Sequence, residues 1–208
     1  GLAAFRVRLR EHGLNLLLDF VPNHVGLDHS WLHKRPEMFI QSAMPGPGIF
    51  KQMAHPHAWF AHGRDPYFPA WADTAQLDYR LSSTRHEMIQ VLRSIALQCD
   101  GVRCDMAMLL LNEVFAKTWH EFPADHSSPS ADLGVEFWKQ TIETIKADHP
   151  EFLFMAEAYW DLESKLQDLA FDFTYDKRVY DHLLTEEHNA SQRLLEDTNG
   201  PILNRSEE

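Results

Sequence analysis

Three apolar segments of this 208-residue sequence are each followed by side chains that could do chemistry. The first carries Asp19, Asn23 and His24, the second Arg103 and Asp105, and the third Glu157. Side chains alternate between the two faces of a strand, so Arg103 and Asp105 would share one face. If the segments are parallel strands, all six residues converge at the carboxyl ends of the strands, where α/β enzymes place their active sites.

Asp105 and Glu157 have the residue types of a nucleophile and a general acid. Arg103 lies two residues from Asp105, so we expect its guanidinium to lower the pKa of Asp105 and keep this carboxylate ionised. Glu157 follows the apolar residues 152–155 and precedes two aromatic residues, so we expect burial to raise its pKa and keep it protonated. A carboxylate and a carboxylic acid roughly 5 Å apart are the groups that retaining glycosidases use.

Aromatic side chains, whose faces suit the apolar faces of sugar rings, are frequent near these positions. They are Trp31, Trp59, Phe60, Tyr67, Trp71, Tyr159 and Trp160. The sequence therefore predicts a carbohydrate substrate.

The elements that would position these residues alternate along the chain. Strands are predicted over residues 14–21, 101–106, 152–156 and 171–175, the first of them buried on both faces. Helices are predicted over residues 3–13, from a Thr84–Glu87 capping box to about residue 100, from 138 to a stop at Pro150, and over 178–187. This alternation favours an α/β fold with a parallel sheet.

Residues 26–83 interrupt the alternation. They are rich in Pro, Gly, His and aromatic residues, and they form too long a connection for an ordinary loop. We therefore predict an inserted subdomain here, between one part of the main domain at 1–25 and another at 84–208. The connection over residues 107–133 is expected to hold a short helix and a loop.

The three chemistry-bearing segments resemble a known family. Residues 19–24 (DFVPNH) resemble the first signature of the α-amylase family of glycoside hydrolases (family 13), 101–105 (GVRCD) the second and 156–160 (AEAYW) the third. Residues 74–78 (TAQLD) resemble the short motif near the end of that family's inserted domain. The resemblance implies a (β/α)8 TIM barrel, of which this chain would supply about strands three to six.

The resemblance also implies roles for individual residues. Asp105 matches the nucleophile and Glu157 the acid/base, while His24 and Arg103 match residues that contact the sugar at the cleavage point or the nucleophile. Asp19 matches a carboxylate that supports the site. Tyr159 and Trp160 are also expected to contact the substrate.

Cofactor requirements follow from the same comparison of residues. Asn23 matches a residue that often binds calcium in the family. Many amylases have Lys and His at the positions of Met108 and Leu109, and that His contributes to the calcium site. We therefore expect no required cofactor, with calcium at Asn23 as a doubtful option.

The family's third catalytic carboxylate has no match after Tyr175, so we expect it to lie outside this chain, together with the remaining barrel strands. The chain begins with Gly1 rather than Met, which suggests an origin in a longer protein. Its compartment is left open, with the cytoplasm slightly favoured.

Composition excludes several classes of partner. Lys and Arg total 19 against 31 Asp and Glu, so the formal net charge of −12 repels nucleic acid. No apolar run approaches the roughly 18 residues of a membrane span. Cys99 and Cys104 have neither zinc nor redox spacing and are expected to be buried thiols.

The predicted function is cleavage of α-glucosidic bonds in an α-glucan or oligosaccharide by the retaining, two-step mechanism. An α-glucan glycosyltransferase or isomerase, such as a trehalose synthase-like enzyme, differs only in the acceptor and remains an alternative. A more distant alternative is a barrel that binds sugar without cleaving it. The 208-residue chain alone is expected to be inactive.

Overall fold

The computed structural model describes residues 1–122 and 134–175. In these ranges the helices are α1 (Leu2–Glu11), α2 (Ser30–Lys34), α3 (Ser82–Ala96), α4 (Asn112–Trp119), α5 (Phe137–Asp148) and α6 (Glu163–Asp168). The strands are β1 (Leu17–Phe20), β2 (His24–Gly26), β3 (Gln41–Ser42), β4 (Ile49–Lys51), β5 (Trp59–Ala61), β6 (Thr74–Gln76), β7 (Gly101–Cys104), β8 (Leu153–Ala156) and β9 (Phe173–Thr174). The helix predicted over residues 178–187 lies outside the described residues.

Four parallel strands form the main sheet in the order β1-β7-β8-β9. Helix α3 lies between β1 and β7 in the chain, α4 and α5 lie between β7 and β8, and α6 lies between β8 and β9. Parallel strands joined through helices confirm the predicted α/β fold. Within the described ranges the sheet is open, with β1 and β9 at its two edges.

The register of the sheet aligns the residues that matter for chemistry. Asp19 pairs with Arg103, and Arg103 pairs with Met155 on the next strand. On the opposite face, Val102 and Phe154 are fully buried against the helices. The prediction that β1 is buried on both faces was wrong, because the Asp19 side chain is 59% exposed on one of them.

Trp138 of α5 fixes the helical layer against the sheet. Its ring makes edge contacts with Phe20 and Phe171, with ring centroids 6.5 and 5.0 Å away. Its indole N–H donates a hydrogen bond to the Ala107 carbonyl at 2.7 Å, so the polar atom of a fully buried side chain is satisfied. Burying one such aromatic side chain contributes on the order of 2–3 kcal/mol, and this contact holds the carboxyl ends of β1 and β7 in place.

The predicted capping box at the start of α3 was wrong. The helix begins at Ser82 and has no side-chain cap. Thr84 lies inside the first turn, where its hydroxyl approaches the Met38 carbonyl at 3.5 Å, and Glu87 accepts a hydrogen bond from Arg35 at 2.8 Å. Both side chains are therefore used for tertiary contacts rather than for the helix terminus.

Residues 26–83 contain short antiparallel sheets. Strand β2 pairs with β6, and β3 and β4 flank β5 in a three-stranded sheet. The pairing of His24 with Gln76 returns the chain to the end of β1 before α3 begins. The subdomain boundaries given above remain a prediction.

Cys99 and Cys104 are buried free thiols, as predicted. Burial raises the pKa of both thiols. None of the helices in residues 1–122 and 134–175 is long and apolar enough to cross a lipid bilayer.

Candidate active site

The candidate site residues Asp105 and Glu157 directly follow neighbouring parallel strands of the main sheet. Phe20 O accepts a hydrogen bond from Asp105 N at 2.9 Å, and Cys104 O accepts one from Glu157 N at 3.0 Å. These bonds continue the parallel ladder one residue past each strand. Asp105 and Glu157 therefore emerge side by side on the face that carries Arg103, as the alternation in the sequence predicted.

Arg103 connects the acidic residues of three strands. Its Nη1 donates to Asp105 Oδ1 at 2.7 Å and to Asp19 Oδ1 at 2.9 Å. Its Nη2 lies 2.7 Å from Glu157 Oε2. Burial opposes the charge of Arg103, but the hydrogen bonds from this guanidinium to Asp19 and Asp105 outweigh it and raise the pKa of Arg103.

Glu157 is held by three donors. Tyr159 Oη donates to Oε1 at 2.6 Å, and the Met106 amide donates to Oε2 at 2.8 Å, beside the Arg103 contact. Burial opposes ionisation, but these donors together lower the pKa of Glu157. The predicted raised pKa was wrong, because the aromatic residue that was expected to exclude water from Glu157 supplies a hydroxyl donor instead.

The pKa of Asp105 is raised, which is also opposite to the prediction. Burial is the largest cause, and the nearby charge of Glu157 adds to it, while Arg103 offsets these effects only in part. The ionisation of each carboxyl group affects that of the other, so Asp105 and Glu157 titrate as a pair.

His24 lies beside this pair, at the start of β2. Burial lowers the pKa of His24, against the opposing charges of Asp105 and Asp73. Its ring packs against Trp71 at a centroid distance of 5.2 Å. A neutral imidazole next to Asp105 can donate or accept a hydrogen bond without repelling a positively charged transition state.

Asn23 is buried and bound to Gln76. Gln76 Nε2 donates to Asn23 Oδ1 at 3.0 Å, and Asn23 Nδ2 donates to Gln76 Oε1 at 3.2 Å. Calcium prefers several carboxylate and carbonyl oxygens. Among the described residues, no group of three or more His, Cys, Asp or Glu side chains is placed to hold a metal ion. The donor set around Asn23 does not fit calcium, and the expectation that no cofactor is required stays an untested prediction.

Trp160 is placed in a neighbouring cavity rather than in the Arg103 cluster. Its ring contacts Tyr67 edge-on at 4.9 Å between centroids, and both line a cavity of 280 Å³ with Glu113 and Lys117. Trp160 adopts a left-handed backbone conformation with φ of 65°. Non-glycine residues in this region are strained, and such strain often occurs at functional sites.

Tyr175 is a site residue that the sequence-based reasoning missed. Its amide donates to Ala156 O at 2.9 Å, and its ring lies against Arg103, with the guanidinium carbon 5.5 Å from the ring centroid. Tyr175 follows Phe173 at a spacing of two, which was the available signal for a position on the same face as the residues that follow β7 and β8.

The sequence matches a known protein family over most of its length. Residues 2–180 match the family model described as the alpha amylase catalytic domain. No curated protein matches the sequence.

Three solved structures illustrate the shared fold. An α-amylase from Lactobacillus plantarum is 21% identical with a TM-score of 0.62, and the match covers 96% of this chain and 42% of that one. An acarbose complex of the Geobacillus thermoleovorans α-amylase is 18% identical with a TM-score of 0.53, covering 88% and 35%. Trehalose-6-phosphate hydrolase from Bacillus licheniformis is 13% identical with a TM-score of 0.62, covering 86% and 36%. This chain therefore spans less than half the length of each, and at these identities the likeness shows the fold.

Proposed function

Because the chain belongs to the alpha-amylase family and supplies part of its catalytic domain, we propose that it carries the reacting carboxyl groups of an enzyme that cleaves α-glucosidic bonds with retention of configuration. One observation carries the proposal: Arg103 binds both Asp105 and Glu157 at neighbouring strand ends. Carboxyl groups this close suit the retaining mechanism, because inverting enzymes leave room for a water molecule between them.

In the first step, an Asp105 carboxylate oxygen forms a bond to the anomeric carbon while the bond to the leaving oxygen breaks. Glu157 gives its proton to that leaving oxygen. In the second step, ionised Glu157 takes a proton from water, the water oxygen bonds to the anomeric carbon, and Asp105 leaves as a carboxylate. If a sugar hydroxyl replaces water, the same steps transfer the glycosyl group.

The mechanism needs an ionised Asp105 and a protonated Glu157, whereas in the free chain the pKa of Asp105 is raised and that of Glu157 is lowered. We infer that bound substrate favours the protonated form of Glu157, since the leaving oxygen beside Glu157 then accepts a hydrogen bond from its proton.

Further residues are assigned supporting roles within the proposal. Asp19 holds Arg103 from the side opposite Glu157, and His24 approaches Asp105 as a neutral group that could contact the reacting sugar. The Tyr67–Trp160 cavity offers aromatic faces for a second sugar ring. Tyr159 acts on Glu157 through its hydroxyl in addition to its expected contact with substrate.

The proposed substrate is an α-glucan or α-linked oligosaccharide. The acarbose complex of the Geobacillus thermoleovorans relative supports this choice of substrate class. Product analysis on maltose and maltooligosaccharides separates the outcomes: glucose and shorter chains indicate hydrolysis, whereas longer chains or trehalose indicate transfer or isomerisation. Binding without turnover would indicate a non-catalytic sugar-binding barrel.

Labelling of the nucleophile tests the proposal. The full-length natural protein that contains these residues is treated with a mechanism-based fluoroglucoside, and peptide mass spectrometry should find the label on Asp105. Asp105→Asn should reduce turnover by roughly 10⁴-fold or more, because the covalent step is lost. Asp168→Asn changes an exposed aspartate of α6 and serves as the control. A label on another residue would overturn the assignment.

A further inference from the structure

The fourth strand of the main sheet contributes a side chain to the carboxylate cluster. Phe20 O, Cys104 O and Ala156 O accept the amides of Asp105, Glu157 and Tyr175, respectively. The same hydrogen-bonding step is thus repeated on three successive strand pairs. Tyr175 directly follows β9, as Glu157 directly follows β8 and Asp105 directly follows β7.

Arg103 is held in two directions. Its N–H groups point within the guanidinium plane toward Asp19, Asp105 and Glu157. The carbon of its guanidinium lies 5.5 Å from the centroid of the Tyr175 ring. In-plane bonds alone leave the long Arg side chain free to tilt, whereas an aromatic ring against the guanidinium restricts that motion.

We propose that Tyr175 is a positioning residue, which acts through Arg103 to hold the Asp105 and Glu157 carboxyl groups in their reactive arrangement. The inference rests on the proposed function for its catalytic consequence, but the positioning itself is a property of these side chains. Tyr175 is 39% exposed, so its replacement should leave the core intact.

The consequence appears in how the pair titrates. The charged and titratable groups facing it are Asp19, Arg103, His24, Tyr159 and Tyr175. Of these, Arg103 lowers the pKa of both carboxyl groups. A looser Arg103 should therefore raise the pKa of both carboxyl groups, so the acid limb and the basic limb of the pH–rate profile both move to higher pH.

Three variants of the full-length natural protein distinguish the effect of losing the Tyr175 ring from the effect of disturbing β9. Tyr175→Ala removes the ring and the hydroxyl, while Tyr175→Phe restores the ring alone. Gln167→Ala removes the hydrogen bond from Gln167 to Thr174 of β9 at 3.0 Å and leaves Tyr175 in place, so it is the matched control. Circular dichroism confirms that each variant is folded.

We expect Tyr175→Ala to lower kcat about five- to tenfold with little change in KM, and to move the acid limb upward. Tyr175→Phe should recover part of both effects. Unchanged kcat and pH profile in Tyr175→Ala, or equal changes in Gln167→Ala, would overturn the inference.

Carboxyl titration by ¹³C NMR keeps this inference distinct from the proposed function. In the full-length natural protein, Asp105 and Glu157 should titrate at higher pH in Tyr175→Ala than in the unaltered protein. If they do while the natural protein cleaves no glucoside, the positioning role stands and the proposed function fails. If they titrate identically, the positioning role fails whatever the activity.

Discussion

The charge balance at Arg103 determines the state of the carboxyl pair. One guanidinium faces three carboxyl groups, those of Asp19, Asp105 and Glu157. With all three ionised the cluster would carry a net charge of −2, which is costly where side chains are partly buried. Burial and the neighbouring charge of Glu157 both oppose that state, and they raise the pKa of Asp105.

Tyr159→Phe tests how the pair is controlled at the level of a single hydrogen bond. The hydroxyl donates to Glu157 at 2.6 Å and helps to lower the pKa of Glu157. Without it, that pKa rises and Glu157 keeps its proton to higher pH. The basic limb of the pH–rate profile should move upward by roughly one pH unit.

Tyr79→Phe is the control for this experiment. It removes a buried hydroxyl that donates to the Pro22 carbonyl at 2.7 Å and does not touch Glu157. This variant should lose stability while its basic limb stays in place. A downward shift of the basic limb in Tyr159→Phe, or an equal shift in both variants, would contradict the effect assigned to the Tyr159 hydroxyl on the pKa of Glu157.

At the scale of elements, Asp100 anchors α1 to the amino-terminal end of β7. It accepts hydrogen bonds from Arg6 at 2.8 Å, from Arg10 at 2.5 Å and from the Leu16 amide at 2.9 Å. Burial opposes ionisation, but these donors lower the pKa of Asp100 to about 2. No residue of α1 itself is buried, so this cluster is a main attachment of the helix to the sheet.

Asp100→Asn should lower the free energy of unfolding by about 1 kcal/mol near neutral pH, a value reduced for solvent screening around the arginines. The native pKa is depressed, so the stabilisation is present above the ordinary value of 3.8 and is lost as the pH falls toward 2. Urea unfolding from neutral to acidic pH should therefore show the difference between wild type and variant shrinking.

Asp148→Asn provides a matched control, since Asp148 is 59% exposed and lies 3.5 Å from Arg93. Its unfolding free energy should follow that of the wild type at each pH. A difference between Asp100→Asn and wild type that persists at the acidic end would show that packing, rather than the ionised carboxylate, accounts for the effect.

How much the sequence could predict depends on how local each signal is. Apolar runs located the four strands of the main sheet, and the alternation of side chains placed Asp105 and Glu157 on one face. The Thr84–Glu87 pair was misleading, because Met38 and Arg35 compete for these side chains only in the folded molecule.

The directions of the pKa shifts of Asp105 and Glu157 could not be predicted for the same reason. The donors to Glu157 include the amide of Met106, which follows another strand, and Arg103, whose effect on a pKa was predicted from the sequence only for Asp105. Tyr175 was missed because an aromatic residue at the end of an apolar strand is usually part of the core. Only the register of β9 against β8 shows its place beside Arg103.

At the scale of the whole molecule, the open sheet determines what the 208-residue chain can do alone. The edge strands β1 and β9 each have one paired side within the described ranges, and unpaired edges favour association between chains. Asp19 is 59% exposed on the face that carries the carboxyl pair. Water on this face screens the charges and weakens the electrostatic stabilisation that cleavage requires.

The isolated chain should therefore show no measurable turnover of a chromogenic α-glucoside, and its apparent mass in light scattering should rise with concentration. The full-length natural protein, measured beside it, should be active and should not share this concentration dependence. Asp105→Asn in the full-length protein gives the baseline for residual activity. Turnover by the isolated chain above that baseline would mean that the residues of this chain suffice to shield the carboxyl pair from water.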